Sequence, residues 1–265
     1  MDKKLFVVLE QGNKCNTDLS IEHKNQFSDD YCDWYRLNWK NDTNDNLASF
    51  YEENIVWSEG RSLLFEKVKN QYEYYIFIDD DVKFISKTNL TVAEEIKNFL
   101  ETYHPLTGTI YGDNWAWNTY KNNIENDQKD AFPIMGHDLC CQIFQNDFAN
   151  LMFPVYFHGS EKSMWYAQYI GYKFYPEKCI VLNKVAIKNT EHLPHHDISK
   201  TNYNNGLTVC NNFANIIINE INKKEFLSWN NFDNVLLTNQ HIYNNEISKE
   251  KVVFTKEMLN KLINY

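Results

Sequence analysis

An α/β fold, one sheet with helices on both faces, is what this chain of 265 residues predicts. Short β-branched apolar runs read as buried strands, and segments of helical spacing alternate with them through the first half. The composition, 43% hydrophobic and 15% aromatic, is enough to close a sizeable core.

The elements follow in order. Residues 5–9 form the first buried strand, with a polar loop around Gly12 after it. Residues 18–26 are expected to be helical, and 31–39 alternate as a second strand. Ser58 is placed as the cap of a helix whose apolar positions Leu63, Leu64 and Val68 share one face and which ends near Asn70. Residues 74–78 are a continuous apolar and aromatic strand that stops at three acids. Residues 91–103 read as an amphipathic helix ended before Pro105, and 108–111 as a short strand. Residues 112–130 read as loops, 132–144 and 179–187 as strands flanking a helix over 160–170. The Asn-rich tail carries helical candidates at 213–221 and 256–263. The expected organisation is one domain over residues 1–200 and a mostly helical extension, 201–265, packed on it.

The formal net charge of −10 argues against a nucleic-acid partner, because phosphate contacts need a clustered basic surface. No apolar stretch is long enough for a membrane span, and the first residues lack a signal peptide's apolar core and cleavage site. Six cysteines, at 15, 32, 140, 141, 179 and 210, show no CxxC pair or regular framework and read as thiols. These features predict a cytoplasmic protein. Arg36 and Arg61 are the chain's two arginines among many lysines, so both draw interest.

The most informative segment is Asp79-Asp80-Asp81, directly after the apolar strand. Adjacent carboxylates repel, and at the carboxyl edge of a sheet they sit where open α/β folds bind ligands. A divalent cation offsets that repulsion, and oxygen-only donors favour Mg²⁺ or Mn²⁺, ions that bridge carboxylates to phosphates. The bland alternative is an exposed acidic turn.

This segment resembles the DxD motif of GT-A nucleotide-sugar glycosyltransferases. The resemblance covers roughly residues 3–200 and is firm over 58–84. It implies the GT-A fold, a Rossmann-like mixed sheet flanked by helices with a C-terminal helical extension here, a UDP- or GDP-sugar donor, and a glycan or other hydroxyl acceptor. It also implies that Asp81 holds Mn²⁺ or Mg²⁺, that Asp79 faces the ribose or the metal's water shell, and that Asp80 lies with them on the nucleotide-sugar side. Gly60 and Arg61 open the helix leading to the acidic strand, where amides and a guanidinium suit a diphosphate; Arg61 as a solvated residue paired with Glu66 or an Asp is the alternative.

Further on, Glu161 followed by a Gly171-Tyr172-Lys173 turn resembles the family's acidic helix start, which makes Glu161 the first candidate for the base that deprotonates the acceptor. Lys162 stands where an acid is usual, and Asp138 is the rival. In the run Glu191-His192-Leu193-Pro194-His195-His196-Asp197, His195 is preferred over His192 and His196 as a further metal ligand by the same resemblance. Trp115, Trp117, Trp165 and Tyr166 are candidates to stack on sugars. Two other readings stand beside this one: a phosphohydrolase of the haloacid dehalogenase type, and an inactive sugar-nucleotide-binding protein.

Overall fold

The computed structural model describes residues 3–40, 44–53, 55, 57–112, 129–133, 140–153, 178–190 and 249. Chain order is β1 (Lys4–Gly12), α1 (Asp18–Gln26), β2 (Cys32–Asn38), β3 (Phe50–Tyr51), α2 (Trp57–Val68), β4 (Tyr72–Asp79), β5 (Val82–Ser86), α3 (Val92–Tyr103), β6 (Thr107–Gly112), β7 (Ala131–Pro133), β8 (Cys141–Gln145), α4 (Asn146–Met152) and β9 (Cys179–Asn189).

Local chemistry sets the helix ends. Thr17 caps α1 by accepting the Ser20 N–H, and Thr91 and Glu94 form a reciprocal capping box at the start of α3. His104 ends α3 in the left-handed region at φ 45°, with Pro105 next, so the helix cannot continue.

Among the described residues the strands form one mixed sheet in the order β3-β2-β1-β4-β8-β6-β9-β5, with β7 paired to β9. β1 runs parallel to β2 and β4, and β8 inserts antiparallel between β4 and β6. Alternation along the strands makes two cores. On one face Val7, Leu9, Leu37, Tyr75, Phe77 and Phe144 pack under α2 and α4; on the other Phe6, Val8, Trp34, Tyr74, Ile76 and Ile78 pack under α3 and the end of α1. Helices therefore cover both faces, as expected.

Three readings change. Ser58 lies inside α2, which starts at Trp57, so it is not the residue before the helix. Residues 132–144 are not one strand: β7 and β8 pair with different neighbours, β9 for the first and β4 and β6 for the second. β5 and α4 add elements that the apolar pattern had not shown. The helix over 160–170 and the tail helices lie outside the described residues. Of the 201–265 extension, Lys249 is described, its ammonium 5.5 Å over the Tyr103 ring at the end of α3. No helix among the described residues is long and apolar enough to cross a membrane.

Candidate active site

The parallel strands β1 and β4 end side by side, with Gln11 in register with Asp79. Beyond that register the chain turns through Asp80 and Asp81 into β5. Consecutive side chains at a strand end point to opposite faces. Asp79 accordingly turns toward α2 and Asp80 toward α1, and each meets one of the two arginines.

On the α2 face, Trp57 Nε1 and Arg61 Nη2 both donate to Asp79 Oδ1, at 2.8 and 3.0 Å. The Arg61 guanidinium is fully buried and stacks 4.0 Å from the Trp57 ring centroid. Desolvation, with smaller contributions from Asp81 and Asp80, pushes the Asp79 carboxyl up to about 7 against the opposing pull of Arg61 and Trp57. Burial likewise pulls Arg61 below its ordinary value, although Asp79 opposes it. Gln11 completes this side: its carboxamide is buried without a hydrogen-bond partner among the described residues, and a Cβ added at Gly60 would lie 2.7 Å from Oε1. Gly60 thus lets the first turn of α2 close over β1.

The α1 face holds a larger polar cluster. Glu10 accepts from Ser20 Oγ at 2.5 Å, Trp34 Nε1 at 3.0 Å and Arg36 Nη1, and meets His23 Nδ1 at 2.8 Å. Arg36, also fully buried, donates from Nε to Asp45 at 3.1 Å, from Nη2 to the Lys14 carbonyl, and from Nη2 to Asp80 Oδ2 at 3.3 Å. Burial opposes charge on both groups, yet the partners win: Glu10 stays below its ordinary value through His23, Arg36 and Ser20, and Arg36 above its own through Glu10, Asp80 and Asp45. Asp80 goes the other way, raised by desolvation and by Glu10 despite Arg36. Gly12 makes room for this carboxylate, since a Cβ there would fall 1.7 Å from Asp80 Oδ2.

Main-chain bonds pin the turn itself. The Asp79 N–H donates to the Cys140 carbonyl and the Asp80 N–H to the Gln11 carbonyl, both at 3.1 Å. The Asp81 carbonyl accepts the Thr190 N–H at 2.8 Å and its Oγ1 at 2.9 Å. Three hard oxygen donors on one turn, whose mutual repulsion helps raise Asp79, suit Mn²⁺ or Mg²⁺. Among the described residues no group of three His, Cys, Asp or Glu is arranged to hold a metal ion.

The structure thus brings together Gly60, Arg61, Asp79, Asp80 and Asp81. Arg61 is buried, not solvated; it pairs with an aspartate, Asp79, while Glu66 bonds Lys69. Glu161, Asp138, His192, His195, His196, Trp115, Trp117, Trp165 and Tyr166 lie outside the described residues. Sequence reasoning missed Glu10, Gln11, His23, Trp34 and Trp57. The available signal was a polar residue interrupting an apolar run, as Glu10 and Gln11 do after residues 5–9. Arg36 was visible through its rarity alone.

No protein-family model matches the chain, and no curated protein does either. Among solved structures, the crystal structure of GalNAc-T7 with UDP, GalNAc and Mn²⁺ matches with a TM-score of 0.54 at 9% identity, over 84% of this chain and 53% of that one. The structure of A197 from STIV matches at 0.40 and 12% identity, over 69% and 84%. That of a glycosyltransferase involved in the glycosylation of the major capsid of PBCV-1 matches at 0.35 and 13%, over 77% and 98%. At such identities the likeness is one of fold. The mixed sheet flanked by helices has a GT-A-like arrangement, and the chain spans about half the length of the GalNAc-T7 structure.

Proposed function

We propose that the chain is a metal-dependent glycosyltransferase, moving a sugar from a UDP- or GDP-sugar to an acceptor hydroxyl in glycan synthesis. One observation carries the reading: the Asp79–Asp81 turn stands at the carboxyl edge of the parallel strands of a GT-A-like sheet, with its first two carboxylates held by the chain's two arginines. The fold likeness to a protein crystallised with UDP, GalNAc and Mn²⁺ supports it.

In this reading Asp79 and Asp81 hold the cation, with His195 as a further ligand. The segment containing His195 leaves the described sheet at Thr190, which is bonded to Asp81. A bound Mn²⁺ or Mg²⁺ supplies charge neutralisation of the departing diphosphate. The chain's own residues do the rest. Arg61 and Arg36 hold Asp79 and Asp80 in fixed orientations before substrate arrives, so little reorganisation is left for the reaction. Gly60 keeps the first turn of α2 close to the site on the Asp79 face, and Asp80 stands on the other. Glu161, or Asp138 in its place, takes the acceptor proton if the reaction inverts.

Thermal unfolding with UDP, GDP and their sugars, with and without Mn²⁺, tests the reading. A nucleotide at about a hundredfold its Kd stabilises by about 2.7 kcal/mol, or about 5 °C for a chain of this size. The shift is expected for one base, only with Mn²⁺, and not in Asp81→Ala. No shift with any nucleotide would sink the proposal, and a shift without transfer to any acceptor would leave a binding protein.

A further inference from the structure

We propose that His23 is a positioning residue for the acidic turn: a buried ring, bonded to Glu10 through one nitrogen and to the main chain beside Asp81 through the other, that sets how tightly the turn holds a divalent cation. The inference rests on reading that turn as a cation site.

The contacts place the ring. His23 Nε2 lies 2.6 Å from the carbonyl oxygen of Val82, which only accepts, so Nε2 donates. Nδ1 lies 2.8 Å from Glu10 Oε2, which also accepts from Trp34 Nε1. The other oxygen of Glu10 accepts from Ser20 Oγ and Arg36 Nη1, so Glu10 is itself held and anchors the ring. The ring is 1% exposed and lies edge-on to Phe84 at 5.5 Å, so water does not replace either partner.

The mechanical consequence follows from the order Asp81-Val82. His23, from α1, holds the Val82 carbonyl; Thr190, from the end of β9, holds the Asp81 carbonyl; Gln11, from β1, holds the Asp80 N–H. Three elements thereby fix three peptide units around Asp81. Without His23 the Val82 carbonyl loses its buried donor and the turn gains freedom that a cation must then remove on binding.

Isothermal titration of the full chain with Mn²⁺ alone tests this. Wild type is expected to bind, Asp81→Ala to lose binding, and His23→Leu to bind about tenfold more weakly, the scale seen when groups orienting metal ligands are removed. His23→Gln, whose carboxamide still donates to Val82, is expected to recover most of that loss. All variants are checked for a cooperative unfolding transition. A folded His23→Leu that binds Mn²⁺ like wild type, while Asp81→Ala does not, overturns the positioning role alone. Absence of binding in wild type, or unchanged binding in Asp81→Ala, overturns the cation-site reading beneath it. Nitrogen-15 NMR of histidine-labelled wild type is independent of every variant: His23 Nε2 is expected to carry a proton, and an Nε2 without one would refute the inference.

Discussion

Arg61→Met should destabilise the fold by an amount that depends on pH, and Asp79 sets the dependence. Methionine keeps much of the side chain's packing but removes the donor 3.0 Å from Asp79 Oδ1. The Asp79 carboxyl stands at about 7 in the fold against 3.8 ordinarily. A carboxyl raised in this way favours folding fully below its unfolded value and loses that contribution as pH rises through the folded one. Near pH 5 both proteins keep Asp79 protonated, so the substitution removes one hydrogen bond and some stacking on Trp57, about 1–2 kcal/mol. Without Arg61 the folded carboxyl rises further, and each pH unit above 7 over which it stays protonated adds about 1.4 kcal/mol of relative destabilisation. The loss near pH 8 should therefore exceed that near pH 5 by about 1.4 kcal/mol. Urea unfolding of wild type and Arg61→Met at both pH values measures it, and the difference should vanish in an Asp79→Asn background. An equal loss at the two pH values would show that Asp79 is not the energetic partner of Arg61.

Two further outcomes are expected. Gly12→Ala sets a methyl group 1.7 Å from Asp80 Oδ2 and 2.0 Å from its Cγ, so Asp80 must leave Arg36; the cost is about 2–3 kcal/mol in chemical unfolding, and it should shrink when Asp80→Ala is combined with it. In a transfer assay, Glu161→Gln should lower kcat about a hundredfold or more with KM for the donor little changed, whereas the same pattern from Asp138→Asn would move the base there.

The strand over residues 74–78 was legible because it announces itself locally by an unbroken apolar run; the Thr17 cap of the helix over 18–26 came from the structure. β5 was not legible. Its buried positions Val82 and Phe84 alternate with Lys83 and Ile85, and Ile85 is exposed, so the apolar pattern is blurred. Residues 132–144 looked like one strand because pairing with β9 or with β4 is decided by partners far along the chain. The site divides in the same way. Three adjacent acids are visible in any reading. That Glu10 faces Arg36 depends on the β1–β2 register, and that His23 reaches Val82 depends on how α1 lies across the sheet end. Neither relation has a trace in residue spacing.

The placement of the two arginines follows from the period of a strand. Asp79 and Asp80 are consecutive, so the sheet itself separates them, and no single guanidinium reaches both. One partner has to come from α2 and the other from β2, which is where Arg61 and Arg36 lie. Replacing either arginine therefore affects one carboxylate and one face of the sheet. The chain contains no third arginine. The turn therefore carries three carboxylates, of which the first two are held by separate guanidiniums on opposite faces of the sheet.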